Sequence, residues 1–154
     1  VADPIAFTIP GIAQPAGSKR AFPYAKNGGG LGVRVTDANP KSRSWKNDVA
    51  HAALAAVGGG FQPLQGPLAL EVEFRLPRPK AHFGAKGLKP TAPTMHTSKP
   101  DATKLVRAVE DALTGILWAD DAQVSMQTVL KRYSDDAAAT VVVVTPLGAL
   151  PSSR

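Results

Sequence analysis

Three carboxylates invite a chemical reading. Asp101 lies near the start of KPDATKLVRAVEDALTG, Lys99 to Gly115, and Asp120 and Asp121 sit together in WADDAQV, Trp118 to Val124. They mark the two ends of one short helical segment, in a chain with 18 Lys and Arg against 12 Asp and Glu. Carboxylates brought together repel, and their pKa values rise unless a cation sits between them. A hard divalent cation with oxygen ligands, Mg²⁺ or Mn²⁺, suits such a set. Mg²⁺ takes one or two carboxylates and leaves its other positions to water and phosphate. The chemistry this predicts is metal-assisted phosphodiester hydrolysis.

Each acid also has an ordinary reading. Asp at a helix N-terminus is a cap, worth about 1 kcal/mol. Two caps compete here, because Ser98-x-x-Asp101 resembles a capping box with Asp in the Glu place. An Asp pair suits neither helix nor strand, so Asp120-Asp121 reads as a turn. Lys104 and Arg107 lie on the polar face of the same helix. Either they pair locally, Lys104 with Asp101 and Arg107 with Glu110 or Asp111, or they clamp phosphate. The sequence leaves both readings open, and also whether Asp121 reaches Asp101.

The surroundings are basic. Net charge is +6, which attracts polyanions at long range. From Arg75 to Lys99 the bases Arg75, Arg78, Lys80, Lys86, Lys89 and Lys99 run without one acid between them. Cysteine is absent, which excludes disulfides and thiolate chemistry. His51, His82 and His96 lack metal-ligand spacing, and NGGGLG lacks the ending of a phosphate-binding Walker loop, so no nucleotide cofactor is expected. No basic leader with an apolar run and no 18-residue apolar stretch occurs, so a soluble cytoplasmic protein without membrane contact is expected. Trp45 and Trp118 read as core, whereas His82 and Phe83 in the basic loop suit base stacking or wedging.

The elements that must position these residues follow from periodicity. Ile5 to Ile9 reads as a strand. Ser18 to Lys26 reads as an edge strand, because Pro23 cannot donate to a ladder, and Gly32 to Thr36 pairs back across the NGGG turn. Asn39-Pro40 predicts a helix start, with Asn as cap and Pro in the first turn, and Gly58-Gly59-Gly60 stops that helix. Leu68, Leu70, Val72, Phe74 and Leu76 alternate with Ala69, Glu71, Glu73 and Arg75, the period of a half-buried strand. Residues 77 to 100 form a long basic loop, functional or mobile. The second helix, from about 101 to 115, carries an apolar stripe of Leu105, Ala108, Val109, Ala112, Leu113 and Ile116. Two strands then follow, read as a hairpin joined at Ser134-Asp135-Asp136. The order predicts a single α+β domain over residues 1–154, a mixed sheet with two helices on one face.

The stretch from Lys99 to Val124 resembles the signature of the RusA family of Holliday junction resolvases. FRLPRPKAHFG and LKPTAPTMHTSKPD, upstream, resemble the strand and basic loop that precede that signature, especially in phage-encoded members; QPAGSKRAF and the Trp45 helix fit more loosely. The resemblance implies a small homodimeric α+β nuclease, active in DNA recombination and repair in a bacterial cell, of phage or prophage origin. It would bind four-way DNA junctions and use Mg²⁺ or Mn²⁺ to place paired symmetric nicks. Asp101 and Asp121 would take the acidic metal and catalytic places, with Asp120 beside them, and Arg107 the place of a catalytic basic residue that is usually Lys. Arg keeps the charge but cannot act as a base, which fits an electrostatic role.

One position departs from the family pattern. Thr103 stands where the second Asp of an Asp-x-Asp is expected. Three outcomes follow: Asp120 supplies the missing carboxylate, the Thr hydroxyl holds a water on the metal, or metal binds poorly. Lys19, Arg20, Arg78, Lys80, Lys86, Lys89, Lys99 and Lys104 would neutralise DNA phosphates, so that binding weakens with salt. The competing reading, kept alive by Thr103, is a junction or single-strand DNA-binding protein with weak or no catalysis on the same fold. A basic RNA-binding protein is a third reading, against which the clustered acids count.

Overall fold

The computed structural model describes residues 3–17 and 19–148, apart from the side chains of Lys19, Arg20 and Asp37. Its elements are β1 (Ile5–Pro10), β2 (Lys19–Ala25), β3 (Leu31–Asp37), α1 (Ser42–Val57), β4 (Leu68–Leu76), β5 (Phe83–Gly84), β6 (Gly87–Leu88), α2 (Ala102–Leu113), β7 (Val124–Tyr133) and β8 (Ala139–Pro146). β1, β8, β4 and β7 form a four-stranded mixed sheet in that order. β4 and β7 run parallel, while β8 is antiparallel to β4 and β1. β2 with β3, and β5 with β6, form separate ribbons. This is the α+β architecture that the periodicity predicted.

The alternation in β4 holds at every position: Leu68, Leu70, Val72, Phe74 and Leu76 are all buried. They meet Ile9 from β1, Val142 and Val144 from β8, and the apolar stripes of both helices in one cluster. α1 contributes Trp45, Val49 and Ala53; α2 contributes Leu105, Val106, Ala108, Val109 and Leu113. Trp118 is fully buried with its indole N–H on Thr114 Oγ1 at 3.0 Å, so both tryptophans are core residues. Among the described residues no helix is long and apolar enough to cross a membrane.

Four expectations are corrected. β7 and β8 are not a hairpin, because β4 lies between them. The side chains explain this. β8 carries Val141 to Val144 and belongs in the interior of the sheet, whereas β7 exposes Ser125, Gln127 and Thr128 and suits an edge. The turn signal at Ser134 was real, with Ser134 Oγ donating to Ala137 O and accepting from Asp136 N, but it turns the chain over the end of β4. Next, α1 begins at Ser42, not at Pro40. Asn39 is occupied by the preceding turn: its Oδ1 accepts from Lys41 N at 3.1 Å and its Nδ2 donates to Pro15 O at 2.9 Å.

Finally, the basic loop is not structureless. It contains a 3-10 turn at Lys80–His82 and the β5–β6 ribbon. Its later part is stitched to β7 through His96 N on Lys131 O, Tyr133 N on Thr94 O and a bridge between Met95 and Arg132. α2 also stops at Leu113, two residues early, where Thr114 turns to extended backbone and Gly115 takes φ 90°.

Leu113 is fully buried where α2 meets the cluster. Leu113→Ala is expected to cost about 2–5 kcal/mol, read as a fall in the urea midpoint at unchanged m-value.

Candidate functional site

Asp101 sits at the N-cap of α2, yet its side chain makes no cap hydrogen bond. Only its carbonyl takes part, accepting from Leu105 N at 3.0 Å. The carboxylate is exposed and free for other work. It lines a cavity of about 510 Å³ with His96, Lys99 and Lys104. The backbone ahead of it is held by a lysine that sequence reasoning missed. Lys131 Nζ donates to Ser98 O at 2.6 Å and Pro100 O at 2.8 Å, tying the entry of α2 to β7. Burial and the nearby Lys131 charge push the His96 pKa below the usual imidazole value, so His96 is neutral at pH 7.

Asp120 and Asp121 have opposite employments. Asp120 is a cap: its Oδ1 accepts from Ala122 N at 2.9 Å. Gln123 completes a capping box by accepting from Ala119 N and Asp120 N. The same Gln123 amide donates to Leu64 O and Gly66 O, which anchors the turn to the entry of β4. The Asp-x-x-Gln spacing announces this box in the sequence. Asp121, the next residue, has an exposed carboxylate outside that network.

The charge of Asp121 acts on Glu110 of α2. Burial pushes the Glu110 pKa above its ordinary value, and the charges of Asp121 and Asp111 push it further. Gln127 on β7 donates a hydrogen bond to Glu110 and opposes the rise. Glu110 was placed on the polar face of the helix by its sequence, but not in the site. The signal was its spacing, seven residues after Thr103 and three after Arg107, which puts all three on one stripe of α2. Among the described residues no group of three His, Cys, Asp or Glu could hold a metal ion. Asp101, Asp120 and Asp121 are thus not assembled into one cluster within a single chain.

The cations divide in the same way. Arg107 and Lys104 are exposed on α2, and neither makes the local ion pairs open to it among the described residues. Lys80, Lys86, Lys89 and Lys99 are exposed along the basic loop. Arg78, expected on phosphate, is not available. Its side chain is only 5% exposed, bonds Pro93 O at 2.7 Å and Asp135 at 3.4 Å, and lies 5.3 Å from the Tyr133 ring centre. A guanidinium with five donors suits this pinning of a loop to the sheet. His82 packs edge-on against the same Tyr133 ring, whereas Phe83 stays half-exposed on the β5–β6 ribbon. The side chains of Lys19 and Arg20 lie outside the described residues, although their backbone pairs with Asp37 and Thr36.

The family model for endodeoxyribonuclease RusA matches residues 13–145, from the loop after β1 to the end of β8. The chain belongs to the RusA endodeoxyribonuclease family. Membership makes it a nuclease of the Holliday junction resolvase class, acting on branched DNA. This RusA-family chain is also 30% identical over 148 residues to YqaN, an uncharacterized protein of Bacillus subtilis (strain 168), with 92% of this chain and 96% of the relative covered.

The raised Glu110 pKa has a sign in stability. The unfolded chain ionises Glu110 first, so it binds fewer protons than the folded chain, and stability falls as pH rises from about 4 through the raised folded pKa. Glu110→Gln keeps the oxygen that accepts from Gln127 and removes the charge. Its thermal midpoint is expected to rise relative to the parent chain as pH goes from about 4 to 7. A constant difference across that range would contradict the charge crowding.

Proposed function

We propose that the chain resolves four-way DNA junctions as a homodimer, hydrolysing phosphodiester bonds at two symmetric positions with Mg²⁺ or Mn²⁺. The observation that carries this reading is the placing of Asp121 within charge range of Glu110, whose pKa is raised first by burial and then by the Asp121 charge. Paired oxygen donors of this kind suit a hard divalent ion. Asp121 and Glu110 would hold it, and Asp101 completes the acidic ridge along α2. When bound, the ion supplies positive charge that polarises a phosphoryl oxygen and acidifies water.

The remaining roles fall to side chains of this chain. Arg107 stands one turn from Glu110 on the same stripe, without an ion pair among the described residues, and stabilises charge on the scissile phosphate. Lys99 and Lys104 flank Asp101 around the cavity and hold the strand by its phosphates. Lys80, Lys86 and Lys89 extend that contact along the loop. Phe83, exposed beside Leu88, suits a wedge at the branch point. A two-fold pair of subunits presents two equivalent sites to two equivalent strands.

Thr103 favours a second reading, a junction binder with little catalysis. It is exposed on the stripe of Arg107 and Glu110 but carries no charge. One assay separates the two. The chain is incubated with a labelled four-way junction, beside linear duplex of the same sequence, in Mg²⁺ or Mn²⁺. Paired nicks on the junction alone are expected. Asp121→Asn should abolish them while binding persists, and Arg107→Ala should slow them about 10²- to 10³-fold. Junction binding without nicks under either metal would leave the binder reading standing.

Thr103→Asp is expected to lower the metal concentration at half-maximal nicking. An unchanged metal dependence would show that Glu110 already fills the place of the missing acid.

A further inference from the structure

A second groove adjoins the Asp101 cavity at Asn39, which lines both, and runs between the base of the β2–β3 ribbon and the start of α1. It encloses about 850 Å³. Arg34 from β3, and Arg43, Lys46 and Asn47 from α1, line it together with Ser42. Among the described residues no carboxylate lines this groove.

Two features point to an anion. The N-terminus of α1 opens here, and its cap residue, Lys41, gives no side-chain cap hydrogen bond. Ser42 N–H already donates to Asn39 O at 3.1 Å, so the 16-residue helix offers this end the positive pole of its dipole, not a full set of open N–H groups. Independently, Ser42 lines the groove at 1% exposure, and its Oγ is buried with no hydrogen-bond partner. A buried hydroxyl without a partner costs roughly 1–3 kcal/mol. An oxyanion accepting from this hydroxyl would remove that cost, with guanidinium groups and an ammonium around it.

We infer that this groove binds a phosphodiester of the junction backbone, at a second contact distinct from the acidic ridge. The inference rests on the reading of the chain as a junction nuclease and supplies a contact that reading lacks. Arg34 and Arg43 give planar donors suited to phosphate oxygens, and Ser42 Oγ gives a fixed neutral donor. Lys46 joins the groove to the ridge, since its Nζ lies 3.3 Å from Asp111 Oδ2, and Asp111 raises the Glu110 pKa. A strand held here and cut at the ridge crosses from α1 to α2, the two helices that pack together. Such a contact fixes orientation on the DNA and reads no sequence.

The test measures junction binding across a salt series by fluorescence anisotropy, without divalent ion, for the full chain, Ser42→Ala and the double variant Arg34→Ala/Arg43→Ala. Thermal melting confirms that each variant folds. For the double variant, affinity is expected to drop at least tenfold near 100 mM salt. Its salt slope should shrink by roughly 0.9 for each phosphate it no longer neutralises. Ser42→Ala should weaken binding several-fold while leaving the melting temperature equal or higher, a split that a structural hydroxyl would not give. Unchanged affinity and slope in the double variant, with the parent binding steeply, would overturn the groove and leave the nuclease reading intact. A parent chain that binds no junction would overturn both. Inorganic phosphate at matched ionic strength supplies the last arm. If it raises the melting temperature of the parent but not of the double variant, while junction affinity is equal in both, the groove takes free phosphate and the backbone assignment falls.

Discussion

Parallel strands cannot be joined by a tight turn. β4 and β7 pair in parallel through nine registered positions, from Leu68 with Val124 to Leu76 with Tyr133, so the chain must leave the sheet and return to its starting end. The residues proposed to act at the cut site lie on that return path: the basic loop, Asp101, α2 with Arg107 and Glu110, and the turn with Asp121. The pairing fixes where the path begins and ends, and the two ends are secured separately. Lys131 ties the start of α2 to β7, and Gln123 ties the later turn to the entry of β4. Asp101 and Asp121 are therefore placed by backbone anchors, whereas Asp120 takes part in its own capping box.

This division of labour explains why several charged residues look alike in the sequence and differ in the structure. Asp120 and Asp121 are neighbours of one type, yet one closes a capping box and the other is left exposed. Arg78 and Arg107 carry the same group, yet one is buried under the loop and the other stands exposed on α2 with no ion pair among the described residues. A charged group that satisfies buried backbone atoms is held by the fold. A charged group that satisfies nothing in the chain is available to a ligand.

Much of this was legible beforehand, for physical reasons. The alternation in β4 and the stripe in α2 are direct records of burial, and the Lys99 to Val124 stretch carried the family resemblance on its own. Strand order was not legible. Residues 124–146 contain two strand-like runs with a good turn between them, and local signals favour a hairpin. The decision is made by β4, more than fifty residues earlier, whose two edges accept one run each. Glu110 was hidden for a related reason. Its spacing put it on the stripe with Arg107, but only the return of β7 brings Gln127 to it, and only the turn after α2 brings Asp121.

The way the loop meets β7 has a consequence for solubility. β7 is an edge strand, and an open edge offers unpaired N–H and C=O groups to any other chain. Here the segment Thr94 to His96 covers the edge beside Lys131 to Tyr133. Pro93 precedes the covering segment and Pro100 follows it, and proline lacks the N–H that would let a further strand extend past either end. The loop thus shields the last residues of this edge, while the uncovered part presents the polar side chains of Ser125, Gln127 and Thr128 beside the exposed Met126. Removing charge from this loop to weaken DNA contact is compatible with a well-behaved protein, whereas shortening it would expose the edge of the sheet.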